Sequence, residues 1–257
     1  LQKIDASKLS GMDLVNYETF RGPWEHYVKA YDNFTYGLHS WPEPHPVTQL
    51  SGTYRSIPDF LVNQHGIADA ADAEAYLSRC EDFAVQLDNE TGRMKTDHAA
   101  GILAPDFVID RTLGLYEKIM APTADANRLT TNLKAKTEAK GIAGDWARRC
   151  AAIVDSKIYP AMRRQAAELA RIRPRATHDA GVWRLPKGDE YYAYALNFAT
   201  TTEMSAEEIH QLGLERMADL SARADAIFRE QGMTGGTVAE RMRALGADKR
   251  FIYPNTD

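Results

Sequence analysis

Apolar residues recur every three or four positions through most of the chain, which is the spacing of amphipathic helices that face a core. The clearest stripe covers residues 69–89, and similar patterns predict helices over residues 105–122, 129–141 and 145–172. Pro160 lies inside the last pattern. Because proline lacks a backbone N–H and clashes with the preceding turn, we expect a kink or a split there.

The N-terminal part of the chain combines a helical pattern with an irregular, proline-rich segment. Residues 10–31 have helical spacing, and Gly22-Pro23 predicts a break in that helix. Residues 41–58 contain four prolines, at positions 42, 44, 46 and 58, which disfavour regular helix. We therefore expect an ordered surface loop over this segment.

Residues 181–199 depart from the helical pattern and predict a β-hairpin with a turn at 186–189. In residues 191–199, bulky side chains alternate with mostly small ones, which is typical of a strand. An edge strand can pair with an extended peptide. The candidate substrate-binding residues on this strand are Tyr191, Tyr192, Tyr194 and Asn197. The alternative is that these rings pack on helices and have no role in binding.

Two capping boxes predict the start of the last helices, because a serine or threonine precedes a glutamate by three residues in each. They are Ser205 with Glu208 and Thr237 with Glu240. The predicted fold class is mainly α, a multi-helix bundle-like array with one small β-hairpin at about 181–199. We place a sub-boundary near residues 174–180.

Composition and charge exclude several classes of protein. The 257 residues are 44% hydrophobic and 26% charged, which excludes a disordered chain, and no apolar run reaches the about 18 residues of a membrane span. The formal net charge of −5 argues against a nucleic-acid partner. The basic residues concentrated between Arg148 and Arg175 are therefore interpreted as a solvated helix face.

Residues that could bind a metal are present but sparse. None of the seven histidines is followed by glutamate, so the H-E-x-x-H zinc motif is absent from this sequence. Glu203, Glu207 and His210 have the spacing of ligands on one helix face, although a capped helix with solvated acids and a packed or hydrogen-bonded His210 explains them better. His39 and His45 on the proline-rich loop could coordinate a metal or contact a ligand, or they could be structural. We assign no catalytic residue and no metal ligand.

One part of the sequence resembles a known family. It comprises Gly181-Val182-Trp183-Arg184-Leu185-Pro186, Gly188-Asp189-Glu190-Tyr191-Tyr192, Thr200-Thr201-Thr202 and Glu207-Glu208-Ile209-His210-Gln211-Leu212-Gly213-Leu214-Glu215. These segments are similar to the bacterial family of domain of unknown function 885, and Phe251-Ile252-Tyr253-Pro254-Asn255-Thr256 is similar to it as well. The resemblance extends less specifically over nearly the whole chain.

The resemblance implies a helical, zinc-metallopeptidase-like hydrolase whose H-E-x-x-H helix lies downstream of the Tyr-Pro-Asn-Thr segment. Residues 1–257 would then be the N-terminal helical part of a larger domain, about half of the enzyme, which agrees with a chain that begins at Leu1 without a methionine. Zinc is expected in the intact protein and none is expected on this chain.

The resemblance also bears on partners and compartment. The expected partners are the C-terminal half and a peptide substrate, and the expected location is periplasmic or lipoprotein-anchored. The alternative function is a non-catalytic helical module that binds a peptide or a partner.

Overall fold

The computed structural model describes residues 3–37 and 41–253, and no strand occurs within them. The α-helices are α1 (Gly11–Asn33), α2 (Thr53–Asn63), α3 (Ala70–Ala99), α4 (Asp106–Met120), α5 (Arg128–Ala139), α6 (Trp146–Ile153), α7 (Tyr159–Ile172), α8 (Gly188–Thr200), α9 (Ala206–Glu230) and α10 (Val238–Ala247). The chain forms two compact units, a first unit of Leu1–Tyr194 and a second unit of Ala195–Asp257.

Helix α3 is the centre of the first unit, and α2, α5, α6 and α7 pack against it. Every apolar position of its predicted stripe is buried: Ala73, Tyr76, Leu77, Cys80, Phe83, Ala84 and Leu87. The prediction of an amphipathic helix facing a core is confirmed. Cys80 and Cys150 are both buried free thiols, so in this core cysteine acts as a small apolar residue.

The arginine-rich stretch is tied to α3 by ion pairs. Arg149 binds Glu74 through two hydrogen bonds of 2.6 and 2.7 Å, and Arg164 binds Asp88 at 2.8 and 2.7 Å. Lys157 pairs with Glu81 at 2.6 Å. All three pairs are solvent-exposed, and such pairs contribute at most about 1 kcal/mol each. They orient α6 and α7 on α3 more than they stabilise the fold.

The predicted interruption at Pro160 takes the form of a π-helical segment, Val154–Ile158, between α6 and α7. The Tyr159 N–H donates to the carbonyl of Val154, five residues earlier. Pro160 has no N–H to donate to a carbonyl of the preceding turn. The wider π-helical turn before it leaves fewer carbonyls without a donor. The long helical pattern is therefore split, as its sequence predicts.

Two predictions in the N-terminal region are wrong. Helix α1 runs through Gly22 and Pro23 without a break, and α2 begins at Thr53 and contains Pro58, so the irregular loop is shorter than expected. In α2 the side chain of Glu90 on α3 accepts hydrogen bonds from the N–H of Thr53 at 3.1 Å and from its hydroxyl at 2.6 Å. This carboxylate satisfies a free N–H of the first turn and supports the helix.

The predicted β-hairpin at 181–199 is also wrong. Residues Val182–Arg184 form one 3₁₀ turn, and residues from Gly188 onward form α8. Tyr191 and Tyr194, three positions apart, share the buried face of this helix, whereas Tyr192 lies outside it. Asp189 and Glu190 stand in the first turn, where negative charge favours a helix. Alternation of large and small residues over so short a run fits either structure.

The second unit contains the end of α8, then α9 and α10. Both predicted capping boxes are present: Ser205 with Glu208 begins α9, and Thr237 with Glu240 begins α10. Arg241 of α10 joins the helices, because it pairs with Asp225 and its guanidinium lies 5.2 Å from the centre of the Phe228 ring. Phe228 is the one buried residue of α9.

Candidate functional site

Tyr191 and Tyr194 lie inside an aromatic cluster of the first unit. The ring of Tyr191 is 5.0 Å from that of Phe34 and 5.4 Å from that of Tyr36, and the ring of Tyr194 is 5.7 Å from that of Phe34. Both tyrosines are buried, and burial raises the pKa of each hydroxyl. The Tyr36 hydroxyl donates to the carbonyl of Pro186 at 2.8 Å, which ties the start of α8 to the segment after α1.

The other two candidate substrate-binding residues are in different surroundings. Tyr192 is 49% exposed. Asn197 belongs to the second unit, where its side-chain amide donates to the carbonyl of Thr202 at 2.8 Å and to Glu203 at 3.1 Å. The structure thus brings Tyr191 and Tyr194 together, while Asn197 closes the turn after α8. A role of the four residues in substrate binding stays a prediction.

The described residues contain no group of three histidine, cysteine, aspartate or glutamate side chains placed to hold a metal ion. His210 is exposed, Glu207 accepts from the Gln211 amide at 2.7 Å, and Glu203 accepts from Asn197. His39 lies outside the described residues. His45 lies on the wall of a small cavity in the first unit.

A buried histidine and carboxylate connect α3 to α7. Nδ1 of His98 is 2.7 Å from Oε1 of Glu168, and Arg171 donates two hydrogen bonds to the same carboxylate at 2.8 and 2.7 Å. Arg171, and after it His98, lower the pKa of Glu168 to about 2. The carboxylate is therefore ionised and holds the orientation of the imidazole. The pair links α3 to α7, and no described serine, threonine or cysteine is hydrogen-bonded to it.

A cavity of about 650 Å³ opens in the first unit between α2, the end of α4 and the start of α5. Its apolar wall comes from the core, including Phe83 of α3 and Met162 of α7. Charged side chains also line it, namely the three cations Arg55, Lys118 and Arg128 and the single carboxylate Asp59. The volume falls within the range of about 300 to 1,000 Å³ typical of small-molecule sites.

A second cavity, about 230 Å³, lies where the proline-rich loop meets the start of α4 and the turn before α8. Its wall includes His45, Gln49 and Arg184 beside apolar side chains. Burial, and then the charges of Arg184 and His98, lower the pKa of His45 to about 3. The His45 imidazole is consequently neutral at physiological pH.

Neither cavity could be located from the sequence, because each is lined by residues from several separate segments. The Gly181 to Leu185 run that carries the resemblance forms one wall of the smaller cavity, but by itself this run does not indicate a cavity. For the larger cavity no local signal exists, since its three cations stand on three different helices.

The chain is a member of a bacterial protein family. A family model described as "Bacterial protein of unknown function (DUF885)" matches residues 1–257, so the chain belongs to that family. None of the curated proteins matches the chain.

A solved structure has the same fold. It is the crystal structure of the putative lipoprotein from Colwellia psychrerythraea, which superposes with a TM-score of 0.85 at 24% sequence identity. The match covers 98% of this chain and 45% of the other, so the chain spans less than half the length of that protein. At this identity the likeness establishes the fold alone. No described helix of this chain is both long and apolar enough to cross a membrane.

Proposed function

We propose that this chain is the N-terminal helical part of a zinc-dependent peptidase or related hydrolase, and that it is inactive by itself. The support is threefold: the resemblance carried by residues 181–215, the 45% of a fold relative that the chain covers, and the uncovered apolar face of α9. The described residues do not fit a zinc site, because they include no suitable group of ligands. The proposed metal site therefore belongs to further chain.

The hydrolase part of this proposal rests on the resemblance, and the observation that carries the packing of further chain is the surface of α9. Ile209, Leu212, Met217, Leu220 and Ile227 follow one side of this 25-residue helix. Met217 and Leu220 are 63% and 53% exposed. An amphipathic helix is stabilised mainly by burying its apolar face. Such a face on so long a helix favours a further helical part that packs on it.

Helix α1 presents a second apolar surface. Phe20 and Trp24 are largely exposed, and Val28 continues the same side one turn further. Contiguous exposed apolar surface on a monomeric protein marks an interaction site. In the proposed enzyme these helices line or support the interface with the C-terminal half, and the substrate is a peptide. The proposed location is the periplasm or a lipoprotein anchor, in keeping with the description of the fold relative.

The test is peptide hydrolysis by the full-length gene product. We expect the purified protein to cleave a mixed peptide library, to lose cleavage after chelation and to regain it when zinc is added back, because an H-E-x-x-H site needs its metal to activate water. The isolated 257-residue chain serves as the matched control and should not cleave. Cleavage that survives chelation, or no cleavage by the full-length protein, would contradict the proposal.

A non-catalytic binding module is the second candidate, and the 650 Å³ cavity favours it. A module of this kind needs a formed site within its own fold, and that cavity lies wholly within the first unit. The two candidates differ in one feature of the gene, which is whether the sequence after residue 257 encodes H-E-x-x-H.

A further inference from the structure

The turn before α8 is built by two glycines. A Cβ added to Gly188 would lie 2.1 Å from the carbonyl oxygen of Val182, and a Cβ added to Gly181 would lie 2.1 Å from the Trp183 ring. At Gly188 the added Cβ meets backbone, so the turn itself would have to move, whereas at Gly181 the Trp183 side chain would have to move. The glycines thus allow the 3₁₀ turn to fold tightly against the start of α8, and this turn holds Arg184 on the wall of the 230 Å³ cavity.

Arg184 is a partly buried cation without an ion-pair partner among the described residues. One of its terminal nitrogens, Nη2, donates to the carbonyl of Leu103 at 2.6 Å, whereas its Nε is buried and has no hydrogen-bond acceptor among the described residues. Burial lowers the pKa of Arg184, and Asp179 opposes that effect from beyond ion-pair distance. A desolvated guanidinium with a free donor is unfavourable, since the donor has lost water and gained no acceptor in exchange.

A second side chain that lines the cavity, Gln49, carries a buried acceptor. Oε1 of Gln49 is buried and receives no hydrogen bond from any described residue. The remaining wall is mainly apolar and includes Phe107, Val108 and Leu185. The neutral His45 imidazole adds no charge, so the net charge of the side chains lining the cavity is positive.

We propose that this cavity binds a free apolar α-amino acid. Arg184 binds its carboxylate, Oε1 of Gln49 accepts a hydrogen bond from its ammonium group, and the apolar wall contacts its side chain. The volume, about 230 Å³, is below the range of drug-sized ligands and suits a molecule of this size. This inference concerns the first unit and does not depend on peptidase activity of the intact protein.

The first test compares three ligands of similar shape by isothermal titration calorimetry on the unmodified chain. L-leucine carries both charged groups, 4-methylpentanoate lacks the ammonium group, and leucinamide lacks the carboxylate. We expect leucine to bind most tightly and leucinamide to bind about ten- to a hundredfold more weakly, since it loses a charge-assisted hydrogen bond to Arg184. Equal affinity for leucine and leucinamide, or no binding of leucine at about millimolar concentration, overturns the proposal.

The second test uses variants with a matched control. Arg184→Gln should lower the affinity for both leucine and 4-methylpentanoate about tenfold or more, because it removes the charge that binds the carboxylate. Gln49→Leu should lower the affinity for leucine but not the affinity for 4-methylpentanoate, since 4-methylpentanoate has no ammonium group. Arg175→Gln removes an exposed arginine outside the cavity and should change neither affinity.

The melting temperature of each variant is measured first. If Arg184→Gln does not fold, the comparison of three ligands on the unmodified chain decides the question. An Arg184→Gln variant that folds and keeps its affinity for leucine contradicts the assignment.

Discussion

Glu168 shows how a single buried charge is made stable in this fold. Its carboxylate is 3% exposed, yet three hydrogen bonds, two from Arg171 and one with His98, compensate for the loss of water. A buried charge without such partners would be strongly unfavourable. The hydrogen bond between His98 and Glu168 also fixes how α3 and α7 are aligned, since His98 is near the end of α3 and Glu168 is in α7.

Glu168→Gln should destabilise the protein by about 3 kcal/mol at neutral pH, because it removes the charge that Arg171 and His98 face. The pKa of Glu168 falls from the ordinary 4.5 to about 2 in the folded protein. A depressed folded pKa means that the stabilisation is complete above about pH 4.5 and is lost as the pH falls toward 2. Urea denaturation at about pH 7, 4 and 3 should therefore show that the difference in unfolding free energy between the wild type and the variant becomes smaller as the pH falls.

Glu81→Gln is the control for this experiment. Glu81 pairs with Lys157 on the surface, where both side chains are about half exposed. The variant should differ from the wild type by less than about 1 kcal/mol at every pH. A Glu168→Gln effect that is small, or that does not change with pH, would mean that the buried carboxylate contributes no ion-pair stabilisation.

The two neighbouring tyrosines of α8 offer a second test at single residues. Tyr194→Ala should cost about 3 to 5 kcal/mol of unfolding free energy, because it empties part of the aromatic cluster around Phe34. Tyr192→Ala should cost less than about 1 kcal/mol, since its ring is half exposed. Equal losses in chemical denaturation would contradict the buried face assigned to α8. If Tyr192→Ala instead leaves stability unchanged and lowers the proposed peptide hydrolysis by the full-length protein, the predicted role of Tyr192 in substrate binding gains support.

At the level of elements, local signals predicted the capped helix starts correctly but predicted breaks at prolines that two helices do not have. The capping boxes at Ser205 and Thr237 involve only four consecutive residues each, so the sequence contains all the information needed. Pro23 and Pro58 suggested breaks that do not occur, because one missing N–H can be outweighed by contacts along the rest of the helix. In α2, for example, the side chain of Glu90 satisfies the first turn.

Ser205→Ala tests the contribution of the α9 cap. The Ser205 hydroxyl accepts from the N–H of Glu208 at 3.3 Å, and the Glu208 carboxylate accepts from the N–H of Ser205 at 2.7 Å. We expect a loss of about 1 kcal/mol, visible as faster hydrogen exchange in the first turn of α9. Ser221→Ala, inside the same helix, should be neutral or slightly stabilising because alanine is the better helix former. Similar exchange in both variants would rule out a stabilising cap.

At the scale of the whole molecule, the exposed apolar faces of α1 and α9 are the features that bear on whether a further part of the protein packs against this chain. The main apolar core is built from residues between Val47 and Ile172, whereas α9 buries only Phe228. The family match extends over residues 1–257 and the fold relative is more than twice as long. Together these observations motivate the proposal that a further part of the protein packs on these helices.

The isolated chain should bind a hydrophobic dye through α9. The double substitution Met217→Glu with Leu220→Glu should lower dye fluorescence without lowering stability, because both side chains are already exposed. Ala218→Glu with Ala222→Glu adds the same charge on the opposite side of the helix and should leave dye binding unchanged. Equal effects of the two pairs would show that charge, and not the apolar face, controls dye binding.

The sequence by itself determined the helical class, the α3 stripe, the split before Pro160 and both capping boxes. These features depend on periodicity or on contacts within a few residues, which a sequence displays directly. It did not determine the structure of residues 188–200, because Tyr191, Tyr194 and Phe198 have helical spacing while Tyr192, Tyr194 and Phe198 alternate like a strand. Burial against Phe34 and Tyr36 decided for the helix.

Only the tertiary structure could decide the candidate sites. Arg184 and Gln49 are far apart in the sequence, and neither belongs to a motif with a known ligand. They form a candidate site because packing makes both residues line one cavity, while one polar atom of each side chain is removed from water and has no partner among the described residues. Long-range packing of this kind leaves no periodic signal along the chain, which is the physical reason that the sequence could not reveal the cavity.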